Sequence, residues 1–286
     1  MTSRNNEVLR AAVGQFPVVE DWETNASVAG RLIDEAENNG VQLLVLPEGI
    51  MTRFIDRKEK IREAAQPLEG PFVAAMRDHS RNKRVTVVFG VHERSNEERP
   101  FNTLVVLRDG QIIDVYRKLH LYDAFGAVES DNVQPGDQLA PIITVNGFSV
   151  GLMTCYDVRF PEQARDLADR GAEVIALPAA WAAGRTKEFQ WATLVSARAL
   201  DATVFVVASD ESGPSCVGGS KIVDPLGSSL AACTEVTSLA VADLHKQHLQ
   251  DVRTKLPVLE HRRFSLHFTP IESNCRKQAT REGSNS

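Results

Sequence analysis

Long apolar runs are missing from this sequence, and no stretch approaches the ~20 apolar residues that a membrane-spanning helix needs. Cysteine is scarce: four occur in 286 residues, at 155, 216, 233 and 275, widely spaced and with no C-x-x-C pair. That spacing does not read as a disulfide framework, and no cluster of His, Cys and carboxylates has metal-site spacing. Dense basic runs are absent too. Lys plus Arg number 32 against 38 Asp plus Glu, a net charge of −6, which makes a poor nucleic-acid binder. The first ten residues, MTSRNNEVLR, lack the apolar core of a signal peptide, so a reducing cytoplasm with free thiols is the expectation. What is present is ordinary for a soluble globular chain: 43% hydrophobic and 24% charged residues, with enough length to bury a core without staples.

Buried strands alternate with helical stretches. The run VLRAAVGQF at 8–16 reads as a strand. Residues 24–39 read as an amphipathic helix, with Val28, Leu32 and Ala36 on one stripe and Gly40 as its stop. VQLLVLPEG lacks alternation, which suggests a sheet covered on both faces. A helix over 71–82, a strand over 84–93 and a hairpin around Asp109-Gly110 follow. The pattern stops from Leu119 to Pro141, the length of a functional or disordered loop. After it come a strand in FSVGLMTC, a helix over 161–170, a strand in AEVIALPAAW, a helix over 186–200 and a strand in TVFVVASD. Three short β segments and a helix over 245–253 close the series. No repeat or linker divides the chain, so one α/β domain with a mixed sheet is expected over 1–270, and 271–286 reads as a flexible tail.

Three polar residues end apolar strands: Glu48 after LLVLP, Lys118 after IIDVYR and Cys155 after VGLMT. Ligands bind beyond the carboxyl ends of strands in open α/β sheets. Taken singly, each also reads as a loop acid, a surface lysine or an inert core thiol. Brought together, they could do chemistry. A thiolate is a nucleophile, and a nearby cation favours it. A carboxylate can take the thiol proton and return it to a leaving amine. An ammonium can stabilise the oxyanion on a carbonyl carbon under attack. Those are the parts of amide hydrolysis through a thioester.

The blocks LPEG, YRKLHLYD and GLMTCYDVRFPE, in this order, resemble the nitrilase superfamily of carbon–nitrogen hydrolases, with the resemblance running from about Val8 to Arg263. It implies a four-layer α-β-β-α sandwich and a catalytic Glu48, Lys118 and Cys155. It also implies a second glutamate, Glu129 in VESDNVQPGD, that positions the substrate amide. The backbone N–H of Tyr156 would be the second oxyanion donor beside Lys118. The resemblance further implies no cofactor, no metal, and a homodimer or larger even homo-oligomer, paired through the 161–170 helix and a helix near 186–200.

LPVLEHRR, KLHLYDAFG and ESDNVQPGD resemble the amidase branch that acts on deaminated glutathione and related ω-amides. True nitrilases usually carry Trp then Glu after the nucleophile, where this chain has Tyr156 and Asp157. The chain departs from that branch at VGGS, 217–220, and at WAAGRTKEFQW, 181–191. The expected function is therefore a thiol amidase of a small linear carboxylic amide, an ω-amide, through a Cys155 thioester; an N-carbamoyl amino acid amidohydrolase is the alternative, and a non-catalytic ligand-binding protein of the same fold the rival of another class. An acidic amide needs a cation for its distal carboxylate, and Arg159 and Arg185 are the candidates, each equally readable as a surface ion pair. Trp181 reads evenly as pocket wall or core cap, and His120 as packing behind the site or facing solvent. His245 and His248 lack a third ligand nearby, and Cys216, Cys233 and Cys275 show no charged partner.

Overall fold

A continuous apolar strand needs cover on both faces, and this chain supplies it with two sheets and two layers of helices. The computed structural model describes residues 7–54, 57 and 59–269; the expected tail and Cys275 lie outside them. The first half comprises β1 (Val8–Gln15), α1 (Trp22–Asn38), β2 (Leu43–Val45), α2 (Lys60–Ala64), α3 (Pro71–Ser80), β3 (Thr86–Glu93), β4 (Phe101–Arg108) and β5 (Gln111–Arg117). A small hairpin follows, β6 (Asp123–Ala124) and β7 (Ala127–Val128). The second half comprises β8 (Ile142–Val145), β9 (Phe148–Leu152), α4 (Pro161–Asp169), β10 (Val174–Ala179), α5 (Lys187–Ala202), β11 (Phe205–Asp210), β12 (Lys221–Val223), β13 (Ser229–Ala232), β14 (Ser238–His245) and α6 (Lys246–Lys255).

One sheet runs β14-β1-β2-β3-β4-β5 and the other β13-β12-β11-β10-β9-β8. Each has three parallel strands at its heart, β1-β2-β3 and β9-β10-β11, flanked by antiparallel neighbours. Period-two alternation separates the faces. In β1, Leu9, Ala11 and Val13 join the core between the sheets, while Ala12 turns to the outer core. There it meets Ala29, Leu32 and Ile33 of α1 and Phe72 and Met76 of α3. On the far side, Ala164 and Leu167 of α4 and Val195 and Ala199 of α5 cover the second sheet. The result is the α-β-β-α sandwich.

Local chemistry sets the element ends. Asp21 caps α1 by accepting from the Thr24 N–H at 2.9 Å. Asp109 and Gly110 both adopt positive φ, +47° and +70°, as the hairpin turn requires. Asn146 and Gly147 do the same between β8 and β9, at +44° and +79°. That Asn-Gly pair was the signal for β8, a strand absent from the expectation, as was the short α2. Helix α3 stops at Ser80 rather than 82, with Asn82 in the left-handed region at φ +59°. Helix α5 runs from Lys187 to Ala202. Within it Trp191 is buried, so it packs inside the protomer instead of projecting from it, and Phe189 and Leu200 are the exposed apolar side chains.

The middle of β3 has no room for a side chain. A Cβ on Gly90 would lie 2.7 Å from the Gly49 nitrogen and 2.9 Å from the Glu48 Cα. Both are backbone atoms and cannot rotate away. Gly90→Ala is expected to cost about 1–3 kcal/mol of stability and to displace Glu48. Thermal unfolding measures the first effect; an unchanged Tm would mean that the loop after β2 yields freely.

Candidate active site

The loop after β2 carries Glu48, whose backbone N–H donates to the Ala179 carbonyl at 3.1 Å and so ties the first sheet to the second. Lys118 follows β5, with its N–H bonded to the Asn102 carbonyl at 2.9 Å and its own carbonyl accepting from Gly136 at 2.8 Å. Cys155 opens a 3₁₀ turn, 155–159, just past β9. Its φ is +46°, a strained conformation for a residue with a Cβ. Asp157, fully buried, holds that turn. One of its carboxylate oxygens accepts from the Thr154 N–H at 2.9 Å and the Tyr116 hydroxyl at 2.8 Å, and the other meets His120 Nδ1 at 2.7 Å. His120 in turn stacks on Phe160, so it packs behind the site.

In front of the turn the ionic groups converge. Lys118 is 2% exposed, and its Nζ donates to Glu48 Oε1 at 2.9 Å and to Glu129 Oε2 at 2.9 Å. Asn102 Nδ2 donates to the same two carboxylates, at 2.7 Å and 3.1 Å. Glu48 Oε2 accepts from the Ala180 N–H at 2.9 Å, and Glu129 Oε2 from the Tyr122 N–H at 2.6 Å. Burial alone would raise the Glu48 pKa, but Lys118 and the hydrogen bonds override it and hold it at about 2. Burial would likewise discharge Lys118; the Glu129 and Glu48 carboxylates keep it charged and lift its pKa well above the ordinary lysine range. For Cys155, burial and then the neighbouring Glu48 push the thiol up, against the opposing pull of Lys118. The resting site thus pairs a neutral thiol with an ionised carboxylate able to accept its proton.

These groups face a cavity of about 290 Å³, which Glu48, Lys118, Cys155, Glu129 and Trp181 all line. Trp181 is wall and core at once, with its indole N–H bonded to the Lys187 carbonyl at 3.1 Å. Tyr156 and Arg159 are not in the lining. The Tyr156 ring packs edge-on against Tyr122 and Phe160. The Arg159 guanidinium bonds Gln190 at 2.5 Å and lies 4.9 Å over the Trp181 ring, behind the wall. Arg185 is exposed. Sequence reasoning passed over Asn102, Tyr122, Lys187, Arg53 and His92, all in the lining, and Cys216, which showed no charged partner in the sequence, also lines it, with Glu211 Oε2 at 3.5 Å. Arg53 is ion-paired with the buried Glu211. Burial, then Arg53, lowers the His92 pKa to about 4, so its ring is neutral. Burial pushes the Cys216 thiol up, which makes it a poor second nucleophile. No group of three or more His, Cys, Asp or Glu among the described residues is arranged to hold a metal ion. No helix among them is long and apolar enough to cross a membrane.

The profile of the carbon–nitrogen hydrolase family matches residues 10–254. The chain belongs to the carbon–nitrogen hydrolase family. A deaminated glutathione amidase of Escherichia coli O157:H7 is 44% identical over 254 residues, covering 89% of this chain and 97% of the relative. The NitFhit protein of Caenorhabditis elegans superposes with a TM-score of 0.84 at 28% identity, over 93% of this chain and 68% of that one. An amidase of Nesterenkonia sp. AN1, solved with the acetamide moiety of fluoroacetamide bound covalently to its active-site cysteine, gives a TM-score of 0.74 at 26% identity, over 90% of this chain and 98% of that one. This carbon–nitrogen hydrolase is of the amidase type.

One Asn102 amide group serves two carboxylates, and it influences Glu48 less than Lys118 does. Asn102→Asp removes that donor and adds a third negative charge beside Lys118. A like charge disfavours ionisation of its neighbours, so the titration of Glu48 is expected to rise from about 2. Carbon-13 NMR of the labelled carboxyls reads the midpoint directly; one that stays put would show that Lys118 alone sets it.

Proposed function

We propose that this hydrolase cleaves a small linear amide carrying a carboxylate, of the deaminated glutathione or ω-amide class, to the acid and the amine, which is ammonia for a primary ω-amide and the cysteinylglycine dipeptide for deaminated glutathione. One observation carries the reading: a buried neutral thiol, an ionised Glu48 and a charged Lys118 share one cavity with Glu129. The 44% identical relative from Escherichia coli, a deaminated glutathione amidase, supports the substrate class.

The chemistry follows from the charges. Glu48 takes the Cys155 proton as the sulfur attacks the amide carbon. The carbonyl oxygen gains negative charge, which the Lys118 ammonium and the Tyr156 backbone N–H stabilise. The protonated Glu48 hands its proton to the leaving nitrogen, the C–N bond breaks, and the amine, ammonia in the case of a primary amide, departs from a thioester on Cys155. Water, deprotonated by Glu48, then attacks the thioester, and the acid leaves as the thiol is restored. Glu129 fixes Lys118 and positions the substrate amide.

A panel of amides, with the acid product and the released ammonia or amine as the readouts, tests the substrate class. Carbon dioxide released along with ammonia from N-carbamoyl amino acids would assign the chain to the other enzymatic reading. Cys155→Ala is expected to fold and be inactive, whereas the unaltered enzyme quenched with substrate carries an acyl adduct on Cys155 by intact-mass analysis. Lys118→Arg is expected to lose about 10²–10³ in kcat, because a planar fork places its donors differently from a compact ammonium. Activity in the alanine variant would end the mechanism.

The same reading includes a cytoplasmic enzyme acting as a homodimer or larger even oligomer. Phe189 and Leu200 of α5, 71% and 43% exposed, are the apolar side chains such pairing would cover. Light scattering at micromolar concentration is expected to give at least twice the 31.5 kDa chain mass, and a monomer would remove this part of the reading.

A further inference from the structure

Helix α5 begins with a cation where a helix favours an anion. Lys187 is its first residue, at the positive end of the macrodipole, and is 8% exposed. Its ammonium donates to the Tyr122 hydroxyl at 2.9 Å. It lies 4.1 Å from the centroid of the Phe125 ring, 5.2 Å from Tyr122 and 5.7 Å from Trp181. Among the described residues no carboxylate comes within ion-pair distance of it, whereas Arg53 is paired with Glu211 and Lys118 with Glu48 and Glu129. An ammonium has three donors, and the Tyr122 hydroxyl occupies one. Aromatic faces offer a cation modest attraction, and a buried charge is best satisfied by a partner of opposite sign. Lys187 lines the cavity, so an anion entering there would meet this ammonium.

Tyr122 sets the spacing. Its backbone N–H bonds Glu129 at 2.6 Å and its hydroxyl accepts from Lys187 at 2.9 Å, so a single tyrosine separates the acid at the amide end from the cation. Lys187 thus lines the same cavity as Glu129 and Cys155, at the other end of Tyr122. We propose that Lys187 binds the distal carboxylate of the substrate and selects acidic amides over neutral ones, in place of Arg159 and Arg185. The inference rests on the amidase reading above and assigns the residue that sets its substrate class.

The test compares kcat/KM for glutaramate with that for pentanamide, its neutral counterpart of equal length, in the unaltered enzyme and in Lys187→Met. Hydrogen bonds to charged groups contribute enough to predict a fall of about 10- to 100-fold in the ratio, carried by KM for glutaramate. A ratio unchanged by the substitution, with the unaltered enzyme preferring glutaramate, overturns the inference and leaves the amidase reading intact. An unaltered enzyme that prefers pentanamide overturns both. Should Lys187→Met fail to fold, Lys187→Gln takes its place. Monomethyl glutarate, which keeps one carboxylate, should also compete with pentanamide on the unaltered enzyme at least 10-fold more tightly than the neutral dimethyl ester; equal inhibition counts against a cation at that end.

Discussion

The Lys118 ammonium, clamped between Glu48 and Glu129, is the interaction on which the site depends. Its three charges come from the loop after β2, the end of β5 and the turn after β7; Lys118 and Glu48 are withdrawn from water and Glu129 is half-buried. Desolvating them separately would cost several kcal/mol per ion, and removing one partner from such a cluster costs about 3–5 kcal/mol. The cluster therefore holds only if the sandwich delivers all three groups together. Asn102 and the N–H groups of Ala180 and Tyr122 complete the acceptor shells of the carboxylates. Folding and catalytic electrostatics are thus one problem, since the backbone register that satisfies the carboxylates also fixes the ammonium.

The nucleophile is governed by a second buried anion on the other side of the chain. Cys155 sits in a left-handed conformation that a side-chain-bearing residue adopts at a cost of about 1–3 kcal/mol. Asp157, through Thr154, Tyr116 and His120, over-determines that turn. The strain directs the thiol into the cavity instead of the core around it. Because burial and Glu48 both oppose ionisation, the thiol stays protonated until a carbonyl carbon is there to receive the electron pair. A resting thiol of this kind resists adventitious oxidation and alkylation better than a low-pKa thiolate would.

Much of this was legible in the sequence because it is carried by local pattern. Apolar runs without alternation announced sheets covered on both faces, and β1 with its two-sided burial obeys that rule. The family blocks pointed to Glu48, Lys118 and Cys155 because each polar residue terminates such a run, and to Glu129 in the loop; the cavity brings the four together. What stayed hidden depends on long-range placement. Asn102 looks like one polar residue in a hairpin strand, and nothing local says that its amide reaches residues 48 and 129. Arg159 looked available because a sequence cannot show that its guanidinium, bonded to Gln190 and packed over the Trp181 face, stands outside the cavity lining. Lys187 was overlooked inside a segment that departs from the family, although a cation opening a helix is a local anomaly that could have singled it out.

The two lysines of the cavity follow opposite logics. Lys118 is saturated by protein carboxylates, so its charge is present in every state of the enzyme and is free to act on charge that develops during the reaction. Lys187 meets only a hydroxyl and aromatic faces, so most of its interaction energy is still unspent when the site is empty. Saturated charge serves the transition state, because it is preorganised and nothing need move when the oxyanion forms. Unsaturated charge serves recognition, because its interaction appears only on binding and discriminates between ligands with and without an anion. Glu129 and Tyr122 link the two lysines in a single hydrogen-bonded line. The spacing between Glu129 and Lys187 is therefore built into the same set of bonds that holds the Lys118 ammonium.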